Sequence, residues 1–344
     1  MEICAKEDGR SLCIGDHGGP LMHFNEEEEA WYQYGVGSFV SKNCHGLAHF
    51  VRVSKHCEWI ATIDNSFPFC GQAVEPPLVE THGHDSMKGV NAGFKSRPHS
   101  WPWVVQLNAK QAEGKVHVCA ATVIDPEWVV TAAHCITQLA VQQPTKSYIR
   151  AALHHKDKCP EEIGENDPEE RIMVENVYVH PEYEHFETPF EIKNDIALVK
   201  LARPVDYHDK IRPICLKKDD TELVENGPLK GVEMIAAGWG RHGVHDQLSQ
   251  DFREKSLPIL DFDRHCGKPY NDRALGICTA EDGRNICLGD HGGPLMSMDE
   301  KEFAWFLYGV GSVVSPECHG TATFTRVSAY CEWIKTTVGR DVCK

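Results

Sequence analysis

Three features are missing from this chain of 344 residues, and each absence removes a class of protein or modification. No apolar run is long enough to cross a bilayer as a helix, so we expect no membrane span. The first residues, Met1-Glu2-Ile3-Cys4, lack the basic and hydrophobic regions of a secretory signal peptide. There is no Asn-x-Ser/Thr sequon, so N-glycosylation is not expected.

A surplus of basic residues is absent as well. The chain has 35 Lys and Arg against 51 Asp and Glu, which gives a formal net charge of −16. A protein with this charge repels polyanions, so nucleic acid and anionic membrane surfaces are not predicted partners.

Cysteine, by contrast, is abundant. Fifteen cysteines are more than a reduced cytosolic protein usually carries, so disulfides and an oxidising compartment are predicted. We therefore interpret the chain as secreted or extracellular, with its signal peptide lying upstream of a chain that begins inside a domain. A hydrophobic content of 41% is typical of a packed protein of one large or two ordinary domains.

The chain contains an internal duplication. Residues 3–62 match residues 277–336 at a constant offset of 274, without a gap and with well over half the positions identical. Between the first copy and the rest, the composition shifts to Pro, Gly, His and acidic residues, as expected of a linker. The duplication predicts a partial domain at 1–64, a linker or activation-like segment at 65–89 and a complete domain at 90–344.

Short apolar runs separated by turn residues dominate the complete domain and are typical of a β-barrel protein. The predicted strands are Trp103–Leu107, Val116–Ile124, Trp128–Thr131, Ile196–Leu201, Val232–Ala237 and Phe303–Val314. Near the end, Tyr330, Trp333, Ile334 and Thr337 recur at helical spacing. Ser328 is the predicted N-cap of this helix.

Three segments carry chemistry, and they follow one another along the chain: Thr131-Ala132-Ala133-His134-Cys135, Asn194-Asp195-Ile196-Ala197-Leu198 and Gly289-Asp290-His291-Gly292-Gly293-Pro294. In this order they resemble the triad segments of chymotrypsin-like serine proteases. The resemblance implies an all-β fold of two six-stranded antiparallel β-barrels with a C-terminal helix and the site between the barrels. The 1–64 segment would then be a partial copy of the second barrel.

The resemblance also implies roles for individual residues. His134 would be the general base and Asp195 its orienting carboxylate, and the backbone N–H groups of Gly289 and His291 would form the oxyanion hole. The implied specificity pocket comprises Asn285, Ile286, Ser312, Val313, Val314 and Ala322. Asn285 and Ile286 stand where the family places the carboxylate that selects basic substrates, so that carboxylate is missing.

His291 stands where the family has its serine nucleophile, and His17 takes the same place in the first copy. A serine hydroxyl attacks the scissile carbonyl and forms an acyl-enzyme, which an imidazole at this position cannot do. Loss of such a nucleophile typically lowers turnover by about 10⁶-fold. We therefore predict a non-catalytic homologue without cofactors that binds a protein partner or a component of a protease cascade.

Two alternatives stay open. The first is a working serine-type endopeptidase, as the family implies. The second is a zinc site built from His134, His291 and Asp195, because imidazoles and carboxylates are ordinary zinc ligands.

A further departure from the family affects activation: the basic residue of the activation segment, Lys88, lies one place too early in Lys88-Gly89-Val90.

The resemblance implies four disulfides: Cys119–Cys135, Cys266–Cys278, Cys287–Cys318 and, in the first copy, Cys13–Cys44. Cys4 corresponds to Cys278, so its partner would lie upstream of Met1. Six cysteines remain without an assigned pairing: Cys57, Cys70, Cys159, Cys215, Cys331 and Cys343. Either Cys70–Cys215, as in the propeptide link of the family, or local pairs Cys57–Cys70 and Cys331–Cys343 are compatible with the sequence.

Overall fold

The computed structural model divides into two compact units, Met1–Phe69 and Cys70–Lys344. It describes residues 2–5, 19–25, 30–39, 48–55, 70–75, 77, 93–110, 116–137, 144–154, 169–185, 192–221, 233–241, 248–266, 273–279, 286–299, 302–314 and 320–344. In these ranges no helix is long and apolar enough to cross a membrane. The boundaries at 64/65 and 89/90 stay a prediction, since most of the chain around them lies outside these ranges.

The first unit is a four-stranded antiparallel sheet in the order β1-β4-β3-β2. Its strands are β1 (Glu2–Ala5), β2 (Pro20–Asn25), β3 (Ala30–Phe39) and β4 (Ala48–Arg52), followed by a 3-10 turn at Val53–Lys55. These strands and the turn coincide, at the offset of 274, with elements near the end of the second unit. The duplicated sequence therefore forms the same local structure twice.

The second unit has sixteen described strands and three described α-helices. The strands are β5 (Phe94–Lys95), β6 (Val104–Lys110), β7 (Val116–Asp125), β8 (Trp128–Thr131), β9 (Tyr148–Ala151), β10 (Glu170–Val179), β11 (Glu184–His185), β12 (Ile192–Lys193), β13 (Ala197–Leu201), β14 (Cys215–Leu216), β15 (Glu233–Gly238), β16 (Arg253–Leu260), β17 (Gly276–Thr279), β18 (Pro294–Asp299), β19 (Ala304–Val313) and β20 (Ala322–Arg326). The helices are α1 (His134–Thr137), α2 (Phe262–His265) and α3 (Cys331–Val338).

The first barrel closes in the order β10-β13-β8-β7-β6-β9, with β9 returning to β10. Closure leaves no open edge among these strands, so every one pairs on both sides. Apolar side chains fill the interior: Trp103, Leu107, Val129, Ile149 and Leu198 are all fully buried. This is the first of the two six-stranded antiparallel barrels that the resemblance implied.

The second barrel runs β19-β18-β15-β16-β17-β20, and β20 pairs back to β19. Leu257, Leu295, Phe306 and Phe324 are buried together in its interior. Short β14 extends the sheet by a parallel pair with β19. The predicted all-β fold of two barrels with a C-terminal helix is therefore confirmed.

All six strands predicted from apolar runs are present, with boundaries shifted by at most three residues. Two of the longer strands that the pattern missed, β10 and β16, carry polar or exposed residues. Strand β10 alternates buried Ile172 and Val174 with exposed neighbours, and β16 contains Pro258 and several charges. Such strands form because barrel closure supplies their hydrogen bonds, which an apolar-run criterion does not detect.

The prediction of Ser328 as a helix cap was wrong. A 3-10 turn at Val327–Tyr330 precedes α3, and no side chain caps the helix. The Ser328 hydroxyl donates to Asp220 Oδ1 at 2.7 Å instead. Because Asp220 is buried and also pairs with Arg326, it competes successfully for that hydroxyl.

The described disulfides are Cys70–Cys215, Cys119–Cys135, Cys266–Cys278 and Cys331–Cys343. The unassigned cysteines thus combine one bridge from each of the two alternatives. Cys287 is disulfide-bonded, while its implied partner Cys318 lies outside the described residues. Cys4 lies within them, in β1, but its side chain is not described. Cys13, Cys44, Cys57 and Cys159 also fall outside the described ranges.

Candidate active site

His134 is the first residue of α1, three positions after the end of β8. The Cys119–Cys135 disulfide joins the helix to β7 of the same barrel, next to this histidine. Because one neighbour is covalently tied and the preceding strand is in the closed barrel, the position of the His134 backbone is fixed by the fold.

Asp195 lies between β12 and β13 and is almost completely buried. Its Oδ2 accepts hydrogen bonds from His134 Nδ1 at 2.7 Å and from the Ser312 hydroxyl at 2.6 Å. Its Oδ1 accepts from the backbone N–H of His134 at 2.9 Å. A buried carboxylate needs several donors, and here three groups supply them.

His291 meets His134 edge to face. Its Nδ1 lies 2.9 Å from His134 Nε2, and the two rings are inclined at 77° with centroids 4.8 Å apart. The other ring nitrogen, His291 Nε2, is buried and has no hydrogen-bond partner among the residues that the structure describes. The structure therefore brings Asp195, His134 and His291 together in one line of hydrogen bonds.

The pKa shifts of Asp195, His134 and His291 indicate which of the three side chains carry a charge. Burial alone would raise the pKa of Asp195, but the charge of His134 and the hydrogen bonds that Asp195 accepts lower it. Burial alone would lower the pKa of His134, but the charge and hydrogen bond of Asp195 raise it. Burial, followed by the charge of His134, lowers the pKa of His291 to about 3. His291 is therefore neutral at physiological pH.

The tautomers follow from the hydrogen bonds. Nδ1–H of His134 donates to Asp195, so Nε2 of a neutral His134 accepts the Nδ1–H of His291. His291 Nε2 then carries a lone pair. When His134 is protonated, the direction reverses, and the proton of His291 resides on Nε2.

The loop that carries His291 is held by Asp290. The carboxylate of Asp290 accepts from the backbone N–H groups of Gly240 at 2.7 Å and of Cys287 at 3.1 Å. Gly289 has a φ of +102°, which disfavours any residue with a Cβ. Among the described residues, the backbone N–H groups of Gly289 and His291 meet no protein acceptor.

The implied pocket residues that the structure describes lie in or beside the second barrel. Ile286, Ser312, Val314 and Ala322 are all buried, and three of them belong to the core of the second barrel. Val313 is half-buried, and Asn285 lies outside the described residues. A Cβ on Gly311 would meet Ile286 Cδ1 at 3.3 Å, so there is little room beside this strand.

Several supporting contacts were not expected from the sequence. Ser312 was assigned to the pocket, yet its hydroxyl bonds Asp195. Thr325 donates to the carbonyl of Asp195, and Tyr330 donates to the side chain of Asn194. No local pattern signals these contacts, because β20 and the terminal turn reach Asp195 only through tertiary folding.

The zinc arrangement of His134, His291 and Asp195 does not form. Asp195 bonds Nδ1 of His134, whereas His291 faces Nε2 on the other edge of the same ring. The three donor atoms therefore cannot converge on one point at zinc distances. The copy of the loop in the first unit, with His17, lies outside the described residues.

Comparisons with known proteins agree with this architecture. A family model described as Trypsin matches residues 90–334. The human chymotrypsin-like elastase family member 3B is 32% identical over 72% of this chain and 87% of its own length. The clotting factor G beta subunit of Tachypleus tridentatus is 30% identical over 71% of this chain and 77% of its own length.

Ovochymase of Halocynthia roretzi is 33% identical over 248 residues, which are 69% of this chain but only 14% of that protein. The matches to all three relatives extend over about 250 residues, the size of one two-barrel domain. Fold, order of segments and similarity agree, and this chain belongs to the trypsin family of chymotrypsin-like serine proteases.

Proposed function

We propose that this chain is a non-catalytic member of its family that acts by binding another protein. One observation carries the proposal: His291 occupies the nucleophile position, and its Nδ1 is hydrogen-bonded at 2.9 Å to Nε2 of His134, the residue at the position of the general base. A serine there would give its proton to the base and form an ester with the substrate. The atom that faces the base here is a ring nitrogen, and the ring offers no oxygen for an acyl ester.

The surrounding scaffold supports binding. Asp195 and Asp290 each accept several hydrogen bonds, which hold the segments around Asp195 and His291 in place. Rigid barrels with variable loops are a common basis for recognition. We also propose that residues 90–344 form the complete domain and 1–64 a partial copy, which the repeated strands support.

The proposal is tested by comparing the unaltered chain with His291→Ser and His291→Ala variants. Each is assayed on a broad peptide library and with an active-site titrant. The unaltered chain and His291→Ala should show no turnover and no titration, because neither offers a hydroxyl. Turnover by the unaltered chain at a rate typical of the family would overturn the proposal.

A serine-type endopeptidase is the second candidate, and the intact His134–Asp195 pair favours it. That pair has the 2.7 Å hydrogen bond that a general base requires. The candidate needs a nucleophile other than a serine at position 291. Titration of the unaltered chain by a covalent serine-directed reagent, with the modified residue identified by mass spectrometry, would establish it.

We further propose that the chain acts outside the cell, as a component of a protease cascade. Buried disulfides such as Cys119–Cys135 suit an oxidising compartment, and one relative is named as a clotting factor subunit. Adding the purified chain to a reconstituted cascade of trypsin-like zymogens should change the rate of activation. Equal rates with and without the chain, over a range of concentrations, would contradict this role.

A further inference from the structure

His134 and His291 present one ring nitrogen each to the same small space. His134 Nε2 and His291 Nδ1 are 2.9 Å apart. A metal ion with bonds of about 2.0–2.1 Å to both nitrogens would have an N–metal–N angle of about 90°. Tetrahedral zinc would require a separation of about 3.3 Å, whereas about 90° is the angle between neighbouring ligands of a square-planar or octahedral ion.

The first ligand is already oriented. Asp195 Oδ2 holds the Nδ1–H of His134 at 2.7 Å, so the lone pair of Nε2 faces His291. A carboxylate behind a histidine is the usual way in which proteins fix the tautomer of a metal ligand and raise its basicity. Asp195 therefore supports the ligand rather than binding the ion.

The second ligand can be released at small cost. In the neutral pair, Nδ1 of His291 carries the proton that bonds His134, and Nε2 has no hydrogen-bond partner in the described part of the chain. Moving that proton to Nε2 frees the Nδ1 lone pair and breaks only the hydrogen bond between the two histidines. The metal then replaces that hydrogen bond with two coordinate bonds.

Other donors lie close by. His117, Cys119 and Cys135 have ligand atoms within 4.8 Å of one another, and Cys135 Sγ lies 3.8 Å from His134 Nε2. The Cys119–Cys135 disulfide removes both thiolates as ligands. Of these three residues, His117 alone keeps a donor, and water can occupy the remaining positions.

We propose that His134 Nε2 and His291 Nδ1 bind a divalent transition metal of the Cu²⁺ or Ni²⁺ type as neighbouring ligands, with Asp195 orienting His134. The site depends on the histidine that replaces the serine. It does not depend on the proposed function, since a binding protein and a residual protease would both contain this pair.

The test uses Cu²⁺ and the full chain after removal of metals with a chelator. The chain has 20 histidines, so the reference is a His82→Asn/His84→Asn variant that lacks the closely spaced linker imidazoles. Cu²⁺ affinity is measured by competition with a chelator at neutral pH, and electron paramagnetic resonance counts the nitrogen ligands. One ion per chain with at least two nitrogen ligands and a tetragonal spectrum is expected.

Three further variants are made in the same background. Loss of an outer carboxylate typically weakens a metal site by about 10–100-fold, so Asp195→Asn should weaken binding by this factor and His291→Ser by more. His134→Ala repeats the ligand test should the serine variant fold poorly, as judged by circular dichroism. His185→Asn removes an exposed imidazole elsewhere and should leave the affinity unchanged.

Equal Cu²⁺ affinity in the reference, His291→Ser and His134→Ala variants would overturn the proposal, because the ion would then be bound by other histidines. Failure of the reference to bind Cu²⁺ would overturn it equally. Neither result bears on proteolysis, which is measured separately with the peptide library.

Discussion

The sheet of the first unit and its copy in the second barrel pair in the same register. Pro20 faces Val36 as Pro294 faces Val310, and both sheets are irregular one residue later along the strand. Their surroundings differ. In the second barrel, β18 pairs with β15 and β17 pairs with β16. In the first unit, no described strand occupies the outer edges of β1 and β2.

Side-chain burial records the difference. Met22 is 51% exposed and Tyr34 is 50% exposed, whereas their counterparts Met296 and Tyr308 are 0% and 7% exposed. The same sequence pattern thus forms the same strands in both units. Whether the side chains of those strands are buried depends on the strands that pack beside them. The comparison teaches that local pairing is encoded within the repeat and that burial is not.

Large-to-small substitutions at matched positions should give the largest difference in stability loss between the two copies. Phe306 is fully buried and its counterpart Tyr32 is 40% exposed. Phe306→Ala should destabilise its unit by about 3–5 kcal/mol, since it removes a buried ring. Tyr32→Ala should cost less than about 1 kcal/mol. Denaturant unfolding followed in each unit measures both values, and equal losses would break the comparison.

The terminal disulfide should give the next largest effect. Cys331–Cys343 ties α3 to the end of the chain, whereas Cys70, which follows the first copy at a similar spacing from Cys57, bonds Cys215. A Cys331→Ala/Cys343→Ala variant should lose about 2–4 kcal/mol of unfolding free energy in the second unit. Thermal unfolding of the oxidised protein provides the measurement, with an unchanged midpoint as the contrary result.

Substitution of a matched pair of glycines should, by contrast, destabilise both copies to a similar extent. A Cβ at Gly309 would lie 2.8 Å from Phe324 Cβ, and one at Gly35 would lie 2.8 Å from Phe50 Cβ. Gly309→Ala and Gly35→Ala should each cost about 1–3 kcal/mol through overpacking. If only Gly309→Ala destabilises, the sheet of the first unit is looser than its register suggests.

The smallest predicted effect is the change in unfolding free energy per pH unit that His134 and His291 cause in the second unit. The pKa of His291 is lowered to about 3, so its neutral form is favoured by folding. Its stabilising contribution is present above an unfolded pKa of about 6.5 and is lost as pH falls towards 3, by at most about 1.4 kcal/mol per pH unit.

The pKa of His134 is raised, so its contribution has the opposite sign. It is fully present below pH about 6.5 and is lost as pH rises through the folded pKa. Stability of the second unit should therefore pass through a maximum near the unfolded histidine pKa of about 6.5. Unfolding of His291→Ser across pH 3–8 should show a shallower acid limb. An identical acid limb would assign the slope to other groups.

Much of the site could be predicted from the sequence because its segments are contiguous. His134, Asp195 and His291 stand in short motifs whose order along the chain is specific, and the structure places them within hydrogen-bond distance. The contacts that could not be predicted join distant segments. Ser312 and Thr325 reach Asp195 across separations of 117 and 130 residues.

The same division explains the fold. Strands with apolar runs, such as β7 and β8, were predictable because burial on both faces leaves a local signature. Strand β10 and the start of α3 were not predictable from local sequence. Barrel closure and the hydrogen bond of the Ser328 hydroxyl both depend on partners far along the chain.

By itself, the sequence determined the duplication, the two-barrel family and the presence of a ring nitrogen where a hydroxyl is required, because each of these is written in contiguous residues. Tertiary structure alone decided that His291 Nδ1 meets His134 Nε2, that Asp195 lies behind the opposite ring edge, and that Met22 is exposed while Met296 is buried. Such outcomes depend on which distant strands close around a residue, and a local sequence pattern carries no information about those distances.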